Sequence, residues 1–291
     1  MINLHSFLKD GPYIRKLKVS EMLFAEYTCL REETRFGVWS DNNYFAFVTS
    51  GKKMWRTIHN DYDANKGDIL FIKKGANLVH QFFDDEFCAI FLFIPDEFIQ
   101  AFLKKYSTFL EAHQPDLSSQ DAVLRLHTNE LLTNYCQSIQ TYLSLDQAPN
   151  EDLLKLKFEE LLLSLFSDKQ NQDLKSYFVS LCQDELYHLT RVMEENYAYN
   201  LKLEDYAKLC HMSLSKFKQI FKAHYKDTPA AWLKARKLEL AHQKLLHGEM
   251  PINQLSLECG FEDPSHFIRV FKQKYEVPPL QYRQSLLDQA S

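Results

Sequence analysis

Glycine and proline are scarce in this chain, with 7 and 9 residues among 291. So few glycines exclude a collagen-like repeat and disfavour the glycine-rich loops that bind phosphate groups. Long hydrophobic runs are missing too, since the longest, Phe87–Ile94, is too short to span a membrane as a helix. Met1–Lys18 lacks the continuous apolar stretch of a secretory signal. These absences predict a cytoplasmic protein with no membrane partner.

Cysteine pairs and the common catalytic motifs are also absent. The six cysteines are scattered without a CxxC pair, which offers neither a disulfide framework nor a zinc ribbon. The sequence contains no GxSxG, no P-loop and no HExxH. We therefore predict that the protein is not an enzyme and has no catalytic residues, no metal site and no cofactor.

The residues that are present fit a globular protein of about two domains. Hydrophobic residues make up 45% and charged residues 25% of the chain, close to the averages for such proteins. The formal net charge of −5 is unevenly distributed. Residues 201–291 contain 14 Lys and Arg against 10 Asp and Glu, whereas residues 1–200 contain 20 against 29. A mildly basic C-terminal third on an acidic body indicates nucleic-acid binding.

The N-terminal part is predicted to combine short strands with helices. Four runs separated by turn residues predict strands of a small antiparallel sandwich or barrel: Tyr44–Thr49, Met54–Ile58, Ile69–Ile72 and Phe87–Ile94. After Pro95 the apolar residues recur at helical spacing, most clearly over Leu153–Phe166. Such helices pack on a barrel or pair with a second subunit. The polar segment Ser167–Asp173 predicts a boundary between domains of residues 1–170 and 171–291.

An internal repeat is the most informative feature of the C-terminal part. Five residues recur fifty positions later: Phe217, Phe221, Lys222, Tyr225 and Pro229 return as Phe267, Phe271, Lys272, Tyr275 and Pro279. Repetition at this period marks two copies of one supersecondary unit. Each copy predicts two short helices joined by a tight turn, over about 203–225 and 252–275, with a helix over Pro229–Gly248 between the copies.

The second helix of each copy has an apolar and a polar stripe. The polar stripes contain Ser215, Lys218, Gln219 and Lys222 in one copy and Ser265, Ile268, Arg269 and Lys272 in the other. An apolar back and a polar front are what a helix needs to lie in the DNA major groove. The alternative is a purely structural helical bundle whose outer faces are solvated. The repeat favours sequence-specific binding of double-stranded DNA over this alternative.

Three segments resemble the AraC/XylS family of transcription factors. They are INQLSLECGFEDPSHFIRVFK at 252–272, PPLQYR at 278–283 and WLKARKLELAHQKLL at 232–246. The resemblance covers about 100 residues and implies seven helices carrying two helix-turn-helix units that enter adjacent major-groove segments. Departures at three positions are expected to lower stability slightly or to change how a helix ends. The glycine usual after each recognition helix is Lys226 or Glu276, and the usual alanine of the second unit is Ser256.

The family pattern assigns a role to each polar-stripe residue. Ser215, Lys218 and Gln219 would face bases in the first half-site. Ser265, Ile268 and Arg269 would do so in the second. Arg269 is the best single candidate, because a guanidinium binds guanine O6 and N7 bidentately. Lys222 and Lys272 would meet phosphate.

Upstream, GDILFIKKG at 67–75 and LKFEELLL at 156–163 resemble segments of the AraC-type activators that control type III secretion genes. This likeness implies a cupin-like N-terminal domain that forms a homodimer and senses a small-molecule or protein effector. It also implies an activator whose partners include RNA polymerase. The fold class expected is therefore α+β with two domains, a cupin-like β-barrel or sandwich with appended helices followed by an all-α domain with two helix-turn-helix units.

Two other classes of function compete with a DNA-binding regulator. One is a ligand-binding or protein-docking cupin module whose DNA binding is secondary. The other is a cupin enzyme, which would need a cluster of histidines with a carboxylate to hold a metal. The predicted barrel offers only His59 and His80, with no HxH pair, so we disfavour the enzyme.

Overall fold

The computed structural model describes residues 1–12, 14–28, 35–58, 60–82, 86–107, 121–247 and 250–290. The chain divides into two compact units, Met1–His188 and Leu189–Ser291. The first unit combines β-sheets with helices and the second is helical, so the predicted α+β class with two domains is confirmed.

Strands dominate the first ninety-odd residues, and one further described strand follows at 123–125. They are β1 (Ile2–Asn3), β2 (Lys16–Val19), β3 (Met22–Thr28), β4 (Arg35–Ser40), β5 (Asn43–Ser50), β6 (Lys52–Arg56), β7 (Asp61–Asn65), β8 (Ile69–Ile72), β9 (Gly75–Gln81), β10 (Cys88–Ile94) and β11 (Val123–Arg125). One sheet has the order β1-β4-β9-β6-β7 and the other β11-β8-β5-β10-β3-β2. Within the described ranges every strand pair is antiparallel except β1 with β4. The run predicted over Met54–Ile58 is β6, which begins and ends two residues earlier because Gly51, at φ 68°, makes the turn directly before it.

The six-stranded sheet is buried on both faces. Side chains alternate along a strand, and in β5 the alternation separates Ala46 from its neighbours Phe45 and Phe47. Ala46 lies in a core shared with residues of the five-stranded sheet, such as Trp55. Phe45 and Phe47 lie in a second core, which they share with the helices of this unit, for example through Phe158. The first unit is therefore a two-sheet sandwich with a helical layer on one outer face.

That helical layer follows the first ten strands in the sequence. Its helices are α2 (Asp96–Lys105), α3 (Glu130–Leu143), α4 (Glu151–Ser167) and α5 (Gln172–Ser180); α1 (Leu4–Asp10) lies between β1 and β2, and α6 (Glu185–Asn196) follows α5. The two units divide within α6, later than the boundary predicted at residue 170. The reason is α5, whose Leu174, Tyr177 and Phe178 are buried in the core that the helices share with the sheet.

A buried polar cluster joins this helical layer to the sheet. The Lys74 ammonium lies 2.7 Å from a carboxylate oxygen of Asp96, at the start of α2, and both side chains are almost fully buried. Asn43 donates a hydrogen bond to the other Asp96 oxygen, at 2.7 Å. The Tyr177 hydroxyl of α5 donates to the Asn43 side-chain oxygen at 2.5 Å. A buried charge needs such partners, so the cluster holds α2 and α5 on the sheet.

The second unit continues from α6 through six further helices. They are α7 (Leu203–Leu209), α8 (Leu214–Tyr225), α9 (Pro229–His247), α10 (Ile252–Glu258), α11 (Pro264–Tyr275) and α12 (Pro279–Ala290). The pairs α7–α8 and α10–α11 occupy the two predicted copies, and α9 is the predicted helix between them. Its predicted last residue, Gly248, lies outside the described residues. None of the helices described is long and apolar enough to cross a membrane.

Candidate nucleic-acid interface

The first candidate recognition helix, α8, is defined by its cap and its buried stripe. The Ser213 hydroxyl accepts a hydrogen bond from the Lys216 backbone N–H at 3.3 Å, which satisfies one of the free donors at the helix start. Phe217 and Phe221 are fully buried. Since these phenylalanines are four residues apart, they fix one face of the helix against the unit and turn the opposite face to solvent.

The second candidate helix, α11, is built in the same way. The Asp263 carboxylate accepts from the Ser265 N–H at 2.9 Å, and Pro264 occupies the first turn, where its missing N–H costs nothing. Phe267 and Phe271 are fully buried, as their counterparts in α8 are.

Both recognition helices end without the glycine that the family pattern carries. Lys226 and Glu276 have φ values of 57° and 70°, a left-handed conformation that glycine adopts most readily. Their N–H groups still close the helices by donating to Lys222 and Lys272 at 3.1 and 2.8 Å. The helices therefore end at the expected place in spite of the substitutions, at a cost in backbone strain. Ser256, the third departure, is fully buried, and its hydroxyl donates to the Asn253 carbonyl at 2.8 Å.

All eight predicted contact residues lie on the solvent face of their helix. The exposed residues are Ser215, Lys218, Gln219 and Lys222 on α8 and Ser265, Ile268, Arg269 and Lys272 on α11. In the part of the chain that the structure describes, the four cations of this set make no ion pair with an acidic side chain. Their charge is therefore available to an external anion.

Aromatic clusters place the two helices on equivalent supports. In the first copy Trp232 of α9 packs on Phe221 and Tyr225, with ring centroids 6.0 and 5.3 Å apart. In the second copy Tyr282 of α12 packs on the corresponding Phe271 and Tyr275, both at 5.7 Å. The fifty-residue repeat therefore also includes the helix that follows each recognition helix, where Trp232 corresponds to Tyr282. The sequence comparison did not match these two residues because they differ in type.

The electrostatic surroundings of the two copies differ. Near α11 the sequence places Glu262, Asp263 and Glu276, all exposed, whereas the residues that flank α8 are Ser213, Lys226 and Asp227. Lys274 of α11 is occupied within the protein, because its ammonium lies 3.3 Å from the Glu239 carboxylate. The first copy is therefore the more positive of the two.

Sequence reasoning missed Lys237 of α9. Its ammonium donates to the Gly260 carbonyl oxygen at 2.8 Å, in the turn between α10 and α11. Burial lowers the pKa of this lysine to about 8. A sequence shows only a lysine in a basic helix, and nothing in its spacing points to a partner 23 residues away.

A metal site in the sandwich would need clustered His, Cys, Asp or Glu side chains. Among the described residues, no three such side chains come together as metal ligands. His59, one of the two histidines of the predicted barrel, lies outside the described residues.

Comparisons with known proteins match both parts of the chain. Residues 43–177 match the ExsA N-terminal regulatory domain, and residues 206–285 match a helix-turn-helix domain of the AraC type. The chain is 28% identical over 236 residues to the virulence regulon transcriptional activator VirF of Yersinia enterocolitica, covering 81% of this chain and 87% of the relative. It is 27% identical over 220 residues to the regulator ExsA of Pseudomonas aeruginosa, covering 75% and 77%. The structure of ToxT from Vibrio cholerae aligns with 91% of this chain and 98% of its own, at 15% identity and a TM-score of 0.43.

These matches define a transcription regulator that combines a helix-turn-helix DNA-binding domain with an N-terminal regulatory domain. Residues 206–285 are thus similar to helix-turn-helix domains of the AraC type, as the repeat and signature segments predict, and residues 43–177 are similar to the ExsA N-terminal regulatory domain. The likeness drawn from residues 67–75 and 156–163 is thereby confirmed. The relatives are transcription regulators rather than enzymes.

Proposed function

We propose that this protein is a cytoplasmic transcription activator that reads two adjacent major-groove segments of double-stranded DNA. Its eight proposed contacts are the exposed residues of α8 and α11: Ser215, Lys218, Gln219, Lys222, Ser265, Ile268, Arg269 and Lys272. The observation that carries this proposal is the repetition of an exposed polar face opposite a buried phenylalanine pair in both copies. Two such faces suit half-sites one helical turn apart, roughly 34–36 Å.

The proposed contacts divide into base reading and phosphate binding. Arg269 lies in the middle of the exposed face of α11, where a guanidinium can reach guanine O6 and N7. Lys272 lies almost one turn later, close to the end of the helix at Tyr275, and a lysine there suits a phosphate. On α8, fifty residues earlier, Gln219 and Lys222 occupy the corresponding places, and Lys218 corresponds to Ile268.

This division predicts different effects of two alanine substitutions. Arg269→Ala is expected to relax preference at one base position, at a cost of roughly 1–3 kcal/mol for the preferred operator. Lys272→Ala is expected to weaken all sequences alike and to reduce the salt slope of binding by about one unit. Binding to a library of operator variants at several salt concentrations measures both. Unchanged base preferences in Arg269→Ala, together with an altered preference in Lys272→Ala, would contradict the assignment. If both substitutions leave DNA binding unchanged while Lys218→Ala abolishes it, base specificity resides in the first copy instead.

The proposed partners follow from the type of regulator. As an activator it would contact RNA polymerase at the promoter, and VirF is itself described as a transcriptional activator. The N-terminal unit would respond to a small molecule or to a regulatory protein, in keeping with its match to a regulatory domain.

We further propose that the first unit forms a homodimer through α4. Six apolar residues of this helix are buried within the unit, namely Leu154, Phe158, Leu161, Leu162, Leu165 and Phe166. Leu153 and Leu156 are instead 41% and 58% exposed. They are three residues apart and therefore share a face, which leaves an apolar strip for a second copy of the chain.

The dimer is expected to weaken when both exposed leucines carry charges. In Leu153→Lys/Leu156→Lys the dissociation constant should rise more than tenfold, because a two-fold interface uses each leucine twice and burying one contributes about 1.5–3 kcal/mol. Sedimentation equilibrium measures this constant. Leu145→Lys, at another exposed leucine of the same unit, is the control. An unchanged dimer in the double variant would rule out this face.

A further inference from the structure

The turn of the second helix-turn-helix unit is contacted from two directions. From α9, the Lys237 ammonium donates to the Gly260 carbonyl oxygen at 2.8 Å. From the segment between α6 and α7, the Ala198 carbonyl lies so close to Gly260 that a Cβ there would overlap it. The Asn200 side chain also donates a hydrogen bond to Glu262. The turn that orients α11 is thus held by parts of the unit that precede it in sequence.

The far end of α11 is held by an ion-pair chain. Lys274 lies 3.3 Å from Glu239, which lies 3.3 Å from Arg236. Arg236 in turn lies 2.6 Å from Glu194 of α6. The side chains of these pairs are 33–47% exposed, so each pair contributes little alone. The Lys237 contact differs, because a part-buried ammonium donates directly to a backbone carbonyl at 2.8 Å, and a charged hydrogen bond of that kind is the stronger type.

We infer that Lys237 is a positioning residue, which fixes the second recognition helix relative to the first and so makes the protein select the spacing of its two half-sites. The inference rests on the proposed function, since it presumes that both helices engage DNA. α9 carries Lys237 and also packs on the first recognition helix through Trp232. A contact between α9 and the turn before α11 therefore connects the two recognition helices through α9.

The test uses the full chain and a set of related operators. An operator selected by the wild-type protein from a randomised DNA pool is compared with versions that have one base pair inserted or deleted between the half-sites. The wild-type protein should bind the altered spacings more weakly. In Lys237→Met, which keeps the aliphatic stem and removes the ammonium, this discrimination should fall about tenfold, a factor that corresponds to roughly 1.4 kcal/mol. Lys237→Arg keeps the charge and should retain most of the discrimination between spacings.

Two controls separate positioning from loss of structure. Lys234→Met removes a charge from an exposed position of the same helix and should leave the spacing preference unchanged. A DNA with only the first half-site should bind Lys237→Met as tightly as wild type, because the lost hydrogen bond is to the turn before α11.

The pH dependence of the wild-type protein gives an independent measurement. The pKa of Lys237 is about 8, against 10.5 for an ordinary lysine, with the Glu262 and Cys259 side chains as its charged and titratable neighbours. Glu262 opposes the shift, and burial raises the pKa of the Cys259 thiol to about 12. Between pH 8 and 10.5 the unfolded chain binds more protons at Lys237 than the folded chain, so this lysine makes folding stability rise with pH there. At pH 9 roughly nine in ten of these ammonium groups lose their proton. Relaxed spacing at pH 9 in a fully folded protein would therefore reflect positioning.

The outcomes are distinct. Relaxed spacing in Lys237→Met and in wild type at pH 9, with Lys237→Arg unchanged at both pH values, supports the inference. An unaltered spacing preference in Lys237→Met overturns it. Absence of any specific wild-type complex would instead overturn the proposed function on which it rests.

Discussion

Replacing Gly260 by alanine is expected to destabilise the second unit by about 2–5 kcal/mol. Two independent effects add up at this position. Gly260 has a φ of 77°, which any residue with a Cβ adopts at a cost, and the new Cβ would overlap the Ala198 carbonyl. Because the overlapping atoms belong to the backbone, no side chain can move to relieve the overlap. Hydrogen exchange should show faster exchange over α10 and α11 and unchanged protection of the first unit.

Gly67→Ala separates the two effects in the same chain. Gly67 also has a positive φ, of 92°, but its Cβ would meet no atom within 4 Å. This variant should lose only the free energy needed to hold a residue with a Cβ at positive φ, about 1–2 kcal/mol. Equal losses in the two variants would show that the contact with Ala198 contributes nothing to the effect at Gly260.

Replacing Lys74 by methionine is expected to destabilise the first unit by about 3–5 kcal/mol. The side chains of Lys74 and Asp96 are only 1% and 6% exposed. The substitution therefore leaves a buried carboxylate without the lysine charge, although Asn43 still donates to it. Hydrogen exchange of β5 and of α5 should rise together, because the same cluster holds both elements.

Two variants test the electrostatic origin of this effect. Lys74→Met/Asp96→Asn removes both charges and should recover much of the lost stability, since an amide oxygen still accepts from Asn43. Lys105→Met breaks an ion pair of similar length, 2.8 Å to Glu159, whose lysine is largely exposed, and should leave stability unchanged within error. A double variant as unstable as Lys74→Met would assign the loss to packing instead.

The sequence predicted best those features that depend on neighbouring residues. Ser213 and Asp263 identify helix starts, and paired phenylalanines four residues apart identify buried faces, so the recognition helices and their exposed stripes could be located. Strand β8 was also predicted with its observed bounds, Ile69–Ile72, because glycines lie close to both of its ends. In these cases the physical cause lies within a few residues of its effect.

Features that depend on distant partners could not be predicted. The parallel pairing of β1 with β4 joins residues about 36 positions apart. No turn residue in the sequence indicates this pairing. The buried contact of Lys74 with Asp96 and the part-buried contact of Lys237 with Gly260 place charged residues in unusual environments, and burial of a lysine has no local signature. The place where the units divide also depends on α5, whose buried residues are indistinguishable in sequence from those of an independent helix.

The aromatic supports of α8 and α11 have a consequence for the evolution of this regulator. In each copy the residues that hold the helix, such as Phe221 with Trp232 and Phe271 with Tyr282, occupy positions separate from the four that face outward. Substitutions on the outward face therefore alter no packing contact of these rings. Each copy can therefore change its outward face independently of the other while its scaffold is preserved. If these faces bind DNA as proposed, new DNA sequences become accessible through a few surface substitutions, each of which costs little folding stability.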